Sequence, residues 1–174
     1  MRRLMLLRHT KSDWPQGAAD RGRPLNERGR EVAPLMGAYL ARHALLPDRI
    51  LVSPTRRTLE TLELASRPLP LTCEPVVDER IYEASADHLL DLLRRQPDTC
   101  HQLLVVGHNP GLQDLALRLI ATGDADARRR LAEKYPTGGL TVIDFAVDDW
   151  SAVHPRSGRL DRFVVPKMLD APAD

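Results

Sequence analysis

Two histidines and several arginines of the sequence each follow a short apolar run. They are Arg8 and His9 after "LMLL", Arg56 and Arg57 shortly after "RILV", and His108 in "GHNPG" after "LLVV". Arginine binds phosphate oxygens through paired hydrogen bonds and keeps its charge. A neutral imidazole is a nucleophile towards phosphorus, and nearby guanidinium charges should lower the pKa of a histidine and keep it neutral. Together these residue types indicate phosphoryl transfer.

Such a site also needs an acid that protonates the leaving oxygen. Glu79 and Glu83, in "VVDERIYEAS", are the two candidates, because this segment lies between two predicted core elements. The residue types alone leave both glutamates open for the role.

Motifs of other chemistries are absent from the sequence. There is no GxxxxGK[ST] loop and no GxGxxG after a strand, which excludes the usual nucleotide sites. There is no HExxH or similar metal-ligand spacing and no GxSxG elbow. We therefore expect an enzyme that uses neither a metal ion nor an organic cofactor.

Composition narrows the class of protein. The chain has 174 residues, with 25 Lys and Arg against 24 Asp and Glu, so its formal net charge is only +1. This balance argues against partners held by bulk charge, such as nucleic acid or an anionic membrane. Cys73 and Cys100 have no CxxC spacing, so we expect two unpaired thiols. The run Leu4–Leu7 is too short for an export signal, and we expect a cytoplasmic protein.

Short apolar runs predict the strands of the fold. They are Arg3–Leu7, Arg49–Val52, Leu103–Val106 and Leu140–Phe145, with a further extended stretch at Cys73–Val77. Most of these runs are apolar without alternation, which is typical of strands covered on both faces.

Helical periodicity lies between the runs. In the first such segment, Asn26 is the predicted N-cap and Pro34 is expected to bend or restart the helix. A second helix is predicted to start at Asn109 and to stop at Gly123. The remaining predicted helices are Thr58–Ala65, Ala86–Arg95 and Ala125–Tyr135.

Alternation of strands and helices predicts an α/β protein. We expect a three-layer α/β/α sandwich with a mostly parallel central sheet and helices on both faces. The whole chain, 1–174, is predicted to be one domain, with 168–174 as a loose tail. In an open α/β sheet, ligands bind beyond the carboxyl ends of the strands. The residues predicted to lie there are Arg8, His9, Arg56, Arg57 and His108.

Several motifs resemble those of a known family. "LLRHTKSDW", "RPLNERG", "SPTRRTLET", "VVGHNPG" and "YPTGGLTVIDF" look like successive motifs of the histidine phosphatase superfamily, with its phosphoglycerate mutase-like fold. They are most similar to its phosphohistidine phosphatase, SixA-like subgroup. The resemblance implies that His9 is the nucleophile that becomes transiently phosphorylated. The residues it implies for holding the phosphate are Arg8, Arg23, Arg57 and His108.

The resemblance also bears on the acid. "DERIY" aligns Glu79 with the general acid of the superfamily, while Glu83 remains the alternative because it lies close in sequence. Many members read RHGE or RHGQ where this chain reads Arg8-His9-Thr10-Lys11, a lysine that is common in the subgroup.

The function predicted from these features is a metal-independent phosphatase acting through a phosphohistidine intermediate. Its substrate would be a phosphohistidine protein or a small phosphomonoester. A phosphomutase, or a phosphate-binding module without turnover, are the alternatives. We expect a monomer.

Overall fold

The computed structural model describes residues 1–169. The strands of this part are β1 (Arg2–Arg8), β2 (Arg49–Val52), β3 (Val76–Val77), β4 (Gln102–Gly107), β5 (Ile120–Gly123), β6 (Leu140–Phe145) and β7 (Gly158–Val164). The α-helices are α1 (Glu27–Arg42), α2 (Arg56–Ser66), α3 (Ala86–Arg94), α4 (Gly111–Leu119) and α5 (Ala125–Glu133). Short 3-10 helices lie at Asp20–Gly22, Glu79–Ile81, Trp150–Ala152 and Pro166–Leu169. None of the described helices is long and apolar enough to cross a membrane.

The seven described strands form one sheet in the order β3-β2-β4-β1-β6-β7-β5. The β2–β3, β2–β4, β1–β4 and β5–β7 pairs are parallel, whereas β6 runs antiparallel to both of its neighbours. The predicted mostly parallel α/β/α sandwich is confirmed. Strand β1 lies at the centre, so the residues at its carboxyl end have neighbouring strands on both sides.

Helices cover both faces of strand β1. Leu4 and Leu6 belong to one apolar cluster, with residues of α3, α4 and α5. Met5 and Leu7 belong to a second cluster, with residues of α1 and α2. Because successive side chains point to opposite faces, both sets must be apolar. This double burial explains the uninterrupted apolar run in the sequence.

Helix α1 begins where the sequence predicts. The Asn26 side chain accepts a hydrogen bond from the Gly29 amide at 2.8 Å, as an N-cap does. Pro34 lies inside the helix, which continues as one element, so the predicted restart does not occur. At Gly29 an added Cβ would lie 2.1 Å from the Lys11 carbonyl oxygen. Glycine therefore lets the start of α1 pack directly against the segment that follows β1.

Two regions differ from the prediction or lie outside it. Helix α4 ends at Leu119 rather than at Gly123, because Ile120–Gly123 forms a strand paired with β7. Neither β5 nor β7 is predicted from the sequence. Of the predicted tail, Met168 and Leu169 lie in a 3-10 helix, and residues 170–174 are outside the described part.

Candidate active site

The two motif histidines lie side by side at one edge of the sheet. Strands β1 and β4 are parallel neighbours, and their register pairs Arg8 with Gly107. His9 and His108 are the residues that directly follow these two strands, and their ring centroids are 5.4 Å apart. The structure therefore brings together residues that are about a hundred positions apart in sequence.

The His9 ring is held in one tautomer. Its Nδ1 lies 2.7 Å from the Thr10 carbonyl oxygen. A carbonyl oxygen can only accept a hydrogen bond, so Nδ1 must carry the hydrogen. In the neutral ring, Nε2 then has a free lone pair. This nitrogen is the one that can attack phosphorus.

The His9 ring is neutral at ordinary pH. Burial lowers its pKa to about 3, and the charges of His108, Arg8 and Arg57 act in the same direction. The hydrogen bond to Thr10 opposes the shift without cancelling it. Above about pH 3 the ring therefore keeps its nucleophilic lone pair.

The backbone around His9 is fixed by hydrogen bonds. The His9 amide donates to the Gly107 carbonyl at 3.1 Å, and the Gly138 amide donates to the His9 carbonyl at 3.0 Å. The Thr10 amide donates to the Thr61 hydroxyl at 3.0 Å. These contacts tie His9 and Thr10 to β4, to α2 and to the segment before β6. A reacting nitrogen held in this way needs little rearrangement before it attacks.

Two arginines flank the histidines, Arg8 partly buried and Arg57 buried. Arg8 donates from Nη1 to the Tyr135 carbonyl at 2.7 Å. Arg57 is only 6% exposed and donates from Nη1 to the Asp20 carbonyl at 2.8 Å. Burial lowers the pKa of Arg8, and the Arg57 charge adds to this shift, while Tyr135 opposes it. Two guanidinium groups whose charges act on each other favour binding of an anion beside them.

His108 faces the same space from β4. Its Nε2 lies 2.7 Å from the Ser53 hydroxyl, which orients the ring. Burial lowers the pKa of His108 to about 4, and Arg57 and Arg8 lower it further, while Asp20 opposes them. Both imidazoles are therefore neutral at pH 7.

Three nitrogens of this cluster lack a hydrogen-bond partner among the described residues. They are Nε of Arg8, Nε of Arg57 and Nδ1 of His108, and all three are buried. Buried polar atoms are normally satisfied, and leaving one unsatisfied costs about 1–3 kcal/mol. An anion with several oxygen acceptors, such as a phosphoryl group, would satisfy them.

Asp20 connects the site to the loop that precedes α1. Its carboxylate accepts hydrogen bonds from the Tyr82 hydroxyl at 2.6 Å and from Arg57 Nη2 at 3.2 Å. The Tyr82 bond, followed by Arg57 and Arg23, lowers the pKa of Asp20 to about 2. The ionised carboxylate therefore holds the Arg57 guanidinium in place.

Arg23 joins the cluster through Asp20. Its Nη1 donates to Asp20 Oδ1 at 3.3 Å, and its Nη2 donates to the Ser12 hydroxyl at 2.8 Å. Its guanidinium also lies 4.0 Å from the centroid of the Trp14 ring. The structure thus links Arg23, a predicted phosphate ligand, to Arg57 through the carboxylate of Asp20.

The glutamate predicted as acid lies at the rim. Glu79 accepts two hydrogen bonds from Arg21, at 3.1 and 2.6 Å, and its side chain is 66% exposed. The bonds to Arg21 hold the pKa of Glu79 below its usual value. Within the described residues, these hydrogen bonds go to Arg21 and not to either site histidine. Glu79 is therefore not joined to the histidine pair.

Tyr82 lies between the glutamate segment and the histidines. Its ring centroid is 5.9 Å from that of His108, and the Arg21 guanidinium lies 4.6 Å from the ring. Glu83, the alternative acid, is exposed and has a positive φ of 55°. The Glu79–Arg21 pair thus contacts Tyr82, whose ring in turn packs against His108.

Sequence reasoning missed Asp20, Tyr82 and Ser53. Ser53 directly follows β2 and so had a local signal, whereas Asp20, three residues before Arg23, had no motif of its own. Tyr82 lies three residues after Glu79 and had none. Among residues 1–169, no three His, Cys, Asp or Glu side chains are grouped closely enough to share a metal ion.

The family assignment follows from a sequence comparison. Residues 4–101 match the model of the histidine phosphatase superfamily, branch 1. The chain belongs to this superfamily. It is also 36% identical over 163 residues to an uncharacterised protein of Mycobacterium tuberculosis, Rv1276c, with 92% of this chain and all of the relative covered.

Solved structures place the chain near one subgroup. A protein of Agrobacterium tumefaciens, provisionally named phosphohistidine phosphatase SixA, superposes with a TM-score of 0.80 at 29% identity. The match covers 95% of this chain and 98% of that one. A protein histidine phosphatase SixA solved with tungstate has the same fold, with a TM-score of 0.74 at 21% identity and coverage of 97% and 99%. Within the superfamily, the chain is SixA-like.

A shorter match concerns the mutases. A 2,3-bisphosphoglycerate-dependent phosphoglycerate mutase of Mycobacterium leprae is 43% identical over 67 residues, covering 36% of this chain and 26% of the mutase. The family and its neighbours thus indicate phosphotransfer of the phosphatase or phosphomutase type.

Proposed function

We propose that this protein is a metal-independent phosphatase that forms a phosphohistidine intermediate on His9. One observation supports this most directly. The Nε2 lone pair of His9 is free, the His108 ring centroid lies 5.4 Å from that of His9, and buried nitrogens of Arg8, Arg57 and His108 lack partners in the described structure. A nucleophile next to an unfilled set of phosphate ligands is the arrangement that phosphoryl transfer requires.

In the first step, His9 Nε2 attacks the phosphorus atom in line with the leaving group. A nitrogen–phosphorus bond forms as the bond to the leaving oxygen or nitrogen breaks, and the leaving atom takes a proton from the general acid, the role that we assign to Glu79 with Glu83 as the alternative. Arg8, Arg57 and His108 stabilise the charge on the equatorial oxygens, and Asp20 and Arg23 position Arg57.

In the second step, water attacks the phosphorus of the phosphohistidine. The nitrogen–phosphorus bond breaks, inorganic phosphate leaves, and His9 returns to its neutral form with the lone pair on Nε2. The water gives a proton to a base, the role that we assign to Glu79 with Glu83 as the alternative. Two arginine charges at the phosphate support chemistry without a metal ion.

The substrate we propose is a phosphohistidine protein or a small phosphomonoester. The SixA-like neighbours favour the first, because those proteins are named phosphohistidine phosphatases. The local match to a phosphoglycerate mutase favours a phosphomutase as a second candidate. Both candidates share the first step and differ in what accepts the phosphoryl group.

The test is hydrolysis of an activated aryl phosphate by the purified protein in excess EDTA. Since the arginines supply the positive charge, we expect the same rate with and without the chelator. The same assay with a phosphohistidine protein and several small phosphomonoesters, compared by kcat/KM, identifies the substrate class.

Three results would contradict the proposal in different ways. Loss of activity on chelation would indicate a metal enzyme. Transfer of phosphate to an acceptor alcohol without release of inorganic phosphate would indicate a mutase. Tight binding of phosphate with no turnover of any ester or phosphohistidine would indicate a binding module.

The general acid can be tested with two matched variants, Glu79→Gln and Glu83→Gln. A general acid contributes about 10²–10⁴-fold, and its contribution grows as the leaving group becomes more basic. We expect Glu79→Gln to lower kcat for an alkyl phosphate by about 10²-fold or more. The kcat for an activated aryl phosphate should fall far less, because its leaving group needs less protonation. Glu83→Gln serves as the control. The opposite order would assign the acid to Glu83, and equal, small effects would exclude both.

A further inference from the structure

A cleft of about 430 Å³ adjoins the nucleophile strand. Lys11, which lines it, comes two residues after His9. Pro136 and Thr137, from the segment between α5 and β6, also line it. In that same segment, the Gly138 amide donates to the carbonyls of Arg8 and His9 at 3.1 and 3.0 Å. The cleft and the phosphate pocket therefore share this segment as a wall.

The cleft and the pocket lie at the same edge of the sheet. Strand β6 is antiparallel to β1, so its first residues lie beside the last residues of β1. Strand β7 is antiparallel to β6, so the chain leaves β7 at this edge too, towards Val165 and Lys167 of the cleft. The two are linked at one point: Arg8 Nη1 donates to the Tyr135 carbonyl, and the next residue, Pro136, lines the cleft.

The cleft is strongly basic. Its basic lining residues are Lys11, Arg28, Arg130, Lys134 and Lys167. Its acidic lining residue is Glu133, whose carboxylate is paired with Arg129 at 3.2 Å. Because the formal net charge of the whole chain is only +1, this is a local concentration of positive charge.

Part of this charge is already engaged and part faces solvent. Arg130 pairs with Asp126 at 3.2 Å and donates to the Phe163 carbonyl at 3.3 Å. Lys134 and Lys167 are exposed, and neither forms an ion pair within the described residues. These two lysines are available to a ligand.

The cleft also has an apolar part. Val32, Phe163 and Val165 line it together with the basic residues. Its volume falls in the range of about 300–1,000 Å³ that is typical of small-molecule sites. Apolar walls with a few charged groups suit a small organic anion better than an inorganic ion alone.

We infer that this cleft binds a second anionic group of the substrate, a carboxylate or another phosphate, on a short apolar linker. The inference rests on the proposed function and narrows it, because the preferred substrate is then a small phosphomonoester that carries two anionic groups. Lys134 and Lys167 contact the second group, while Arg8, Arg57 and His108 hold the phosphoryl group that is transferred.

The test compares ω-carboxyalkyl phosphates of increasing chain length with their methyl esters. Each pair has nearly the same shape, and the methyl ester lacks the second charge. We expect kcat/KM to favour the carboxylate by roughly three- to tenfold at one chain length, mainly through KM, since exposed ion pairs are individually weak. The preference should shrink as the salt concentration rises.

The matched variants are the double replacement Lys134→Met, Lys167→Met and, as control, Arg42→Met in the last turn of α1. The double variant should lose the preference for the carboxylate and hydrolyse the methyl ester within about twofold of wild type. Arg42→Met should leave kcat/KM unchanged for both substrates. Equal kcat/KM for acid and ester at every chain length would overturn the inference, and so would an equal loss for both substrates in the double variant.

A second measurement separates this inference from the proposed function. Calorimetric binding of ω-carboxyalkyl phosphonates and their methyl esters does not depend on turnover. Tighter binding of the carboxylate, lost in the double variant, supports the cleft even if no ester is hydrolysed. Hydrolysis of the esters without this difference in binding would support the proposed phosphatase and would overturn the inference about the cleft. A preference for acidic over neutral phosphohistidine peptides, absent from the small esters, would also overturn the inference.

Discussion

Replacing His9 by alanine is expected to lower kcat/KM for an aryl phosphate by several orders of magnitude. The variant lacks the Nε2 lone pair that forms the covalent intermediate, and removal of a nucleophile has effects of this size. Steady-state kinetics measures the loss. Wild-type protein quenched in alkali after mixing with substrate should contain phosphohistidine, and the variant should contain none.

The control for this experiment is His88→Ala, which removes an exposed histidine of α3. It should keep its activity. Inorganic phosphate should still bind to His9→Ala, because Arg8, Arg57 and His108 remain. Near-normal turnover by a folded His9→Ala protein would exclude His9 as the nucleophile.

Replacing Arg57 by methionine is expected to lower kcat by about 10²–10³-fold, the usual cost of one group that stabilises transition-state charge. Lysine should recover only part of this loss, because it keeps the charge but cannot reproduce the planar fork that binds phosphate and the two acceptors on Asp20. The matched control is Arg56→Met, since Arg56 is an exposed neighbour that pairs with Glu60. Equal losses in Arg56→Met and Arg57→Met would contradict the assignment.

The Arg57 variant should also change the pH profile. Burial is the main cause of the low pKa values of His9 and His108, about 3 and 4, and the Arg57 charge lowers both further. Without it both values rise, and protonation removes the nucleophilic lone pair at a higher pH. The acidic limb of the kcat/KM profile should therefore move upward in Arg57→Met and stay in place in Arg56→Met. An unmoved limb would show that Arg57 acts on the phosphate alone.

Much of the fold could be predicted because its central elements have local signals. The bounds of β2 and β6 match the predicted runs, and Asn26 caps α1 as expected. Strand β5 could not be found in this way. Ile120 continues the helical apolar pattern of α4, and only pairing with β7 makes this segment a strand. Pairing between distant segments has no local pattern.

The candidate site likewise has residues that local signals predicted and residues that they did not. Arg8, His9, Arg57 and His108 each follow or begin an element next to a central strand, so strand prediction and the motifs together placed them at one edge. Glu79 has the motif position of an acid, yet its carboxylate pairs with Arg21 at the rim. Asp20 has no such motif, but it lies at the centre of the hydrogen bonds to Arg57 and Tyr82.

The sequence by itself determined which residues leave the carboxyl ends of the buried strands, because burial on both faces demands uninterrupted apolar runs that end where the chain becomes polar. Only the tertiary structure decided which side chains meet beyond those ends. Sheet order and register bring His9 to His108, Asp20 to Arg57, and the segments around Lys11, Lys134 and Lys167 to one cleft. Such contacts depend on three-dimensional distance between residues far apart in the chain, which no local periodicity encodes.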